Sequence, residues 1–183
     1  ILFKIRQLPL SRQSFFSSNA GTLEATGNGG LIIESGVDNS GHLWANGGDV
    51  TVHGDVTGAG DATISGAATL EFDGASTAHT TFADGGDGTL SLDHSSSFTG
   101  AVSGFNHGDS LDLGDVAFGN GTGTTISYSA NGEGTGGTLS VSDGANTTHI
   151  ALDGEYTTAG CEGGYDQGSG TAMACDTAHA GEN

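Results

Sequence analysis

Apolar and polar residues alternate along the chain in short runs and never settle into a 3.6-residue period. GTLEAT, GGLIIES, GHLWAN, DVTVHG, ATISG, ATLEFDG and GTLSLDH each set apolar side chains two positions apart. A glycine punctuates the runs every five to seven residues. This pattern predicts short strands joined by tight Gly-rich corners, and no helix.

The runs also repeat. Cut in steps of twenty from Gly21, the chain gives four blocks covering residues 21–100. The twelfth position of the blocks is Ile32, Val52, Phe72 and Leu92, and the tenth is Gly30, Val50, Leu70 and Leu90. The fifth is small at Ala25, Ala45, Ser65 and Gly85, while the third, Leu23, Leu43, Thr63 and Ala83, decays. Positions ten and twelve share one strand face, so a twenty-residue repeat stacks that face on itself, about 4.8 Å per rung. The fold expected is therefore all-β: a parallel β-solenoid of about four twenty-residue coils over residues 20–100. Block 101–120 puts Asp112 at the twelfth position and breaks the register. Later runs such as TTISYSA, GTLSVSDG and THIALDGEY, joined by Gly-rich links, suggest hairpins, so residues 101–156 read as a small antiparallel β cap.

Composition changes the picture at the ends. The chain has 183 residues, among them 35 glycines, one proline and 3 Lys or Arg against 22 Asp or Glu, for a net charge of −19. Every base lies in residues 1–12, and every acid lies after Gln13. Residues 1–19 are thus atypical of the rest, and suggest a fragment boundary, a vector-derived remnant or a disordered tail. They mix charged and apolar positions without the order of a signal peptide. Residues 157–183 hold both cysteines, Cys161 and Cys175, and lack strand-like alternation, so they read as a low-order tail. A single loop-closing disulfide and two cysteines that never meet are equally compatible with that spacing. No run approaches 18 apolar residues, so no membrane-spanning helix is expected. The acidic body repels phosphate and anionic lipid, which argues against nucleic acid and membrane surfaces as partners and favours cations.

NAGTLEATGNGGLIIESGVDNSGHLWANGGDVTVHGDVTGAG resembles the repeats of secreted bacterial adhesins of the filamentous-haemagglutinin and autotransporter-passenger kind. FTGAVSGFNHGDSLDLGDVAFG, followed by GTLSVSDGANTTHIALDGEY, resembles a module of giant alphaproteobacterial surface proteins. The resemblance covers residues 19–156. It implies a right-handed parallel β-helix in an extracellular or cell-surface protein with a structural or adhesive role. The partners implied are surface glycans or proteins, or the protein's own copies end to end, and no catalytic residues are carried over.

Candidate chemistry is confined to carboxylates. Position thirteen of the blocks, Ile33, His53, Asp73 and Asp93, lies beside the inward twelfth and should face out. Asp73 and Asp93 on neighbouring rungs would then be a calcium-binding pair, or two solvated acids. Asp109, Asp112 and Asp115 in GDSLDLGD offer a second calcium arrangement, or cap turns. Calcium is the one cofactor these patterns suggest. The six-residue beat of Asp49, Asp55 and Asp61 falls at different corners of the coil and marks turns. GGDGTL at residues 85–90 places Leu90 where the calcium-binding nonapeptide needs Asp. The histidines, His42, His53, His79, His94, His107, His149 and His179, form no zinc pattern. Trp44 should face out, partly covered by a neighbour, though exposure would suit sugar stacking. Polysaccharide lyases on β-helices need a Lys or Arg, and none follows Arg12; a glycosidase would need a carboxylate pair such as Asp73 with Asp93. A non-catalytic role is expected.

Overall fold

The alternation of the sequence becomes three faces of one coil. The computed structural model describes residues 16–83, 85–119, 123–166, 168 and 170–177. On the first face Phe16–Asn19, Gly36–Asn39 and Val56–Thr57 stack in parallel, continued by single bridges at Ser76 and Phe98. The second stacks Thr22–Ala25, His42–Asn46, Asp61–Ser65, His79–Phe82 and Ala101–Ser103. The third stacks Leu31–Ile33, Val50–Val52, Thr69–Phe72, Thr89–Leu92 and Ser110–Leu113. The result is a parallel β-solenoid of about five turns, closed at its C-terminal end by antiparallel strands.

Side chains that point inward from the three faces meet in one narrow column. On the third face Leu31, Val50, Leu70, Leu90 and Leu111 are aligned, as are Ile33, Val52, Phe72, Leu92 and Leu113. From Val50 and Val52 onward these side chains are buried. On the second face Leu23, Leu43, Ala62, Thr80 and Val102 form the matching column.

These alignments correct the strict twenty-residue register in two places. Ile33, not Ile32, stacks on Val52, so the third-face spacing is 19 residues there, then 20, 20 and 21. Leu31 takes the place expected for Gly30, and Ile32 points outward, 61% exposed. In Leu31-Ile32-Ile33 either register presents an apolar face, and stacking on Val50 and Val52 decides between them. Likewise Ala62 and Ile64, not Thr63 and Ser65, fill the second-face column, followed by Thr80 and Phe82 rather than Ala83 and Gly85. The second correction is Asp112. Its coil is one residue longer, which keeps Leu111 on Leu90 and Leu113 on Leu92, so the stack runs on into residues expected to be cap.

Glycine corners absorb these slips. Gly47, Gly66 and Gly85 all turn at positive φ (72°, 69° and 77°), a conformation L side chains rarely adopt. At another corner the rungs touch: a Cβ on Gly41 would overlap the backbone O and N of Gly21, which have no rotamer to move into. Gly41→Ala should therefore lower the unfolding free energy by about 1–3 kcal/mol. Gly29→Ala, where a Cβ meets nothing within 4 Å, should leave the urea midpoint nearly unchanged. Beside this corner lies a buried asparagine ladder. Asn19 Nδ2 donates to Asn39 Oδ1 at 2.8 Å, and the two Oδ1 atoms accept from Gly21 N–H and Gly41 N–H. The amides replace turn hydrogen bonds that buried backbone would otherwise lack.

The cap differs from expectation as well. Thr125–Ala130, Gly136–Ser142 and Thr147–Asp153 form an antiparallel meander whose last strand runs parallel to Ala101–Ser103. Residues 157–177, expected to lack order, are mostly strand: Tyr156–Tyr165 and Thr171–Thr177 pair antiparallel, and the second lies against Ser110–Leu113. Met173 sits opposite Leu111 and is buried, covering the end of the apolar column. Cys161 and Cys175 face each other across this hairpin and form a disulfide, which resolves the question their spacing left open. Of the atypical first segment, Phe16–Asn19 belongs to the stack, while residues 1–15 and 178–183 lie outside the described residues.

Candidate functional site: an acidic strip on the third face

Outward positions of the third face alternate with the buried column, so each coil adds two side chains to its surface. One outward row is Ile32, Thr51, Glu71, Ser91 and Asp112, by the same pairing that aligns the core. One residue past the inward Ile33, Val52, Phe72 and Leu92 come Glu34, His53, Asp73 and Asp93. Glu34, not Ile33, therefore begins the row that the sequence placed at position thirteen.

Asp73 and Asp93 sit on adjacent rungs, because Phe72 pairs with Leu92 and Asp93 N–H donates to Phe72 O at 3.2 Å. Glu71 joins them: one oxygen from each of the three carboxylates lies within 4.8 Å of the others. Glu71 went unrecognised in the sequence, although it stands two residues before Asp73 and strand alternation alone places both on one face. The cluster is only partly neutralised. His53 Nδ1 is hydrogen-bonded to the Asp73 carboxylate, and Thr51 Oγ1 donates to Glu71 Oε2 at 3.0 Å. The bond to Asp73 raises the His53 pKa, with smaller contributions from the Asp73, Glu34 and Glu71 charges. Asp73 Oδ1 is buried and accepts no hydrogen bond among the described residues.

Asp109, Asp112 and Asp115 do not converge. Asp109 is buried and accepts from Gly88 N–H at 3.1 Å and Asn106 N–H at 3.0 Å. Burial raises its pKa against those two bonds. Asp115 Oδ1 accepts from both Ser95 N–H and Ser95 Oγ. Each therefore caps backbone of the preceding rung, whereas Asp49 and Asp55 cap the following one, accepting from Thr69 N–H and Ala75 N–H. Asp61 instead faces His42 Nδ1 at 2.6 Å on the second face.

Only Asp112 belongs to the acidic strip. Its pKa is pushed up to about 6, first by burial and then by the Asp166 charge, with Asp93 adding to it. Asp166, from the terminal hairpin, also escaped sequence reasoning, since nothing local links it to Asp112. A carboxylate with a raised folded pKa binds its proton more tightly in the native state. Stability from this group is thus greatest in acid and is lost as pH rises from about 4 through about 6. Asp112→Asn should accordingly raise the melting temperature at pH 7.5 and leave it nearly unchanged at pH 4.

Among the described residues, the histidines elsewhere do not assemble a catalytic relay. His79 Nε2 meets Ser103 Oγ at 3.1 Å, and the same nitrogen lies 3.9 Å from Asp153 Oδ2. A serine–histidine–aspartate relay needs the acid on the opposite ring nitrogen. Trp44 faces out and is half-buried, its Nε1–H donating to Ser65 Oγ at 2.9 Å. Comparison with protein-family models, curated proteins and solved structures finds no match to this chain.

Proposed function

We propose that the chain is a structural and adhesive module of an extracellular bacterial repeat protein, without catalytic activity. One observation carries this reading: the interior is filled from rung to rung by stacked side chains. The solenoid therefore offers a stiff, solvated outer surface on which a partner can bind. The Cys161–Cys175 disulfide supports an oxidising compartment. The acidic flanks favour solubility and disfavour phosphate-bearing partners, so surface glycans or proteins are the partners proposed. Growth of a fibre from copies end to end fits less well, because the antiparallel cap covers one end of the stack.

Calcium enters this proposal through Glu71, Asp73 and Asp93. Their carboxylate oxygens are near enough for one hard cation to contact all three, and a cation would relieve their mutual repulsion. Isothermal calorimetry at pH 7.5 should show saturable heat with millimolar Ca²⁺ that disappears in the Asp73→Asn/Asp93→Asn variant. Flat heats would remove calcium from the proposal. The role itself is tested by presenting the immobilised protein to arrays of surface glycans and proteins. Saturable binding without turnover supports it, and hydrolysis of a neutral β-glucan or chitin would refute it.

A further inference from the structure

An asparagine followed by glycine is the peptide unit most prone to lose its side-chain amide, because glycine leaves the next backbone nitrogen unshielded. Three such pairs lie among the described residues: Asn28-Gly29, Asn46-Gly47 and Asn131-Gly132. A fourth, Asn120-Gly121, lies outside them. The fold treats the three differently. Asn46 ends a strand; its Nδ2 donates to Glu24 Oε1 at 2.7 Å, and Gly47 N–H donates to Ser65 O at 3.1 Å. Asn131 is held at both ends of its amide, Oδ1 accepting from Thr135 N–H and Nδ2 donating to Thr135 Oγ1, each at 3.1 Å. Asn28 is exposed, and neither its side-chain amide nor the Gly29 N–H has a hydrogen-bond partner among the described residues.

Register accounts for the difference. Ala25 pairs with Ala45 and Leu31 with Val50, so the corner of residues 26–30 stacks on the corner of residues 46–49, which is one residue shorter. The flanks of the longer corner are held. A Cβ on Gly48 would overlap Gly27 O and N, and Gly30 N–H donates to Gly27 O at 3.0 Å. Asn28 and Gly29 are left at the apex, where a Cβ built on Gly29 meets nothing within 4 Å.

We propose that Asn28 is a site of spontaneous deamidation in the folded protein. The Gly29 N–H gives its proton to solvent and its nitrogen attacks Asn28 Cγ. The new N–Cγ bond forms as the Cγ–Nδ2 bond breaks, and Nδ2 leaves as ammonia. The resulting succinimide takes up one water at either carbonyl and opens to aspartate or isoaspartate. One amide and one water thus become one carboxylate and one ammonium ion, with no oxidant or reductant consumed. In isoaspartate the backbone runs through the former side-chain carbon and gains one atom, which an apex outside the strand pairing accommodates. The acidic solenoid thereby acquires, after folding, a further carboxylate that its sequence does not specify.

The test is peptide mapping by mass spectrometry of the unaltered full-length chain, held folded at pH 7.5 in heavy-oxygen water. Chymotrypsin is the protease, since no Lys or Arg follows Arg12. Amide should give way to acid at Asn28 on the order of 10-fold faster than at Asn46 or Asn131, which must first open locally. In urea, where those restraints are lost, the three rates should converge. Gly29→Ala, which shields the attacking nitrogen at a position with room for the methyl group, should slow the reaction at Asn28 and leave Asn46 and Asn131 unchanged. The proposal is overturned by an Asn28 amide that stays intact in the folded chain, or by conversion at Asn46 or Asn131 as fast as at Asn28. A rate order that persists in urea, or undiminished conversion in Gly29→Ala, overturns it equally.

Discussion

Phe72→Ala should cost about 3–5 kcal/mol of unfolding free energy, the largest loss expected from a single side chain. Phe72 is fully buried midway along the third-face column, between Val52 on one rung and Leu92 on the other. Its ring is tied to neighbours whose backbones are fixed by parallel pairing on both sides. The space it vacates cannot close by moving a helix or a loop, so the cavity term persists alongside the lost transfer energy. Because each coil contacts chiefly its neighbours, the loss should fall on the coil of Phe72 and on its two interfaces, with Val52 and with Leu92. Urea unfolding followed by circular dichroism checks this; a midpoint within error of the unaltered protein would show that Phe72 does not occupy the column.

The second large effect should come from Cys161 and Cys175. Replacing both with serine removes a covalent loop of fourteen-residue separation, for which chain entropy predicts a loss of about 3 kcal/mol. The physical consequence is directional. The hairpin of Tyr156–Tyr165 and Thr171–Thr177 is poor in large apolar residues, and it closes the column through Met173 on Leu111. Without the cross-link this hairpin should fray first and expose Leu111 and Leu113. Adding reductant to the unaltered protein should reproduce the drop in melting temperature and leave the serine variant unmoved. Equal melting temperatures with and without reductant would contradict this. Phe72 and the disulfide share no partners, so their costs should add to within about 0.5 kcal/mol.

The stack was legible in the sequence because its message repeats. Val50, Leu70 and Leu90, with Val52, Phe72 and Leu92, fall twenty apart and announce both the face and the coil. Less legible were the coils of 19 and 21 residues. A glycine corner gains or loses one residue without turning the next strand over, so a fixed ruler drifts where the structure does not. Ile32 was misplaced for that reason, and Asp112 was mistaken for the end of the repeat. The terminal hairpin was hidden for a different one. TTAGCEGGY carries almost no apolar alternation; its order comes from pairing with Thr171–Thr177, which in turn lies against the remote Ser110–Leu113, and from the Cys161–Cys175 disulfide. At the acidic strip, Asp73 and Asp93 followed from the repeat and Glu71 was available from alternation. Asp166 depended on a tertiary approach that no spacing records.

The most direct test of the five-turn stack is a set of methyl–methyl contacts measured by NMR along the third face. An unbroken chain of contacts is expected from Val50 to Leu70, Leu90 and Leu111, with a parallel chain in which the Val52 and Leu92 methyl groups both meet the Phe72 ring and Leu92 meets Leu113. Loss of the Leu90–Leu111 and Leu92–Leu113 contacts, with the earlier ones retained, would contradict it and return residues 101–156 to a separate cap.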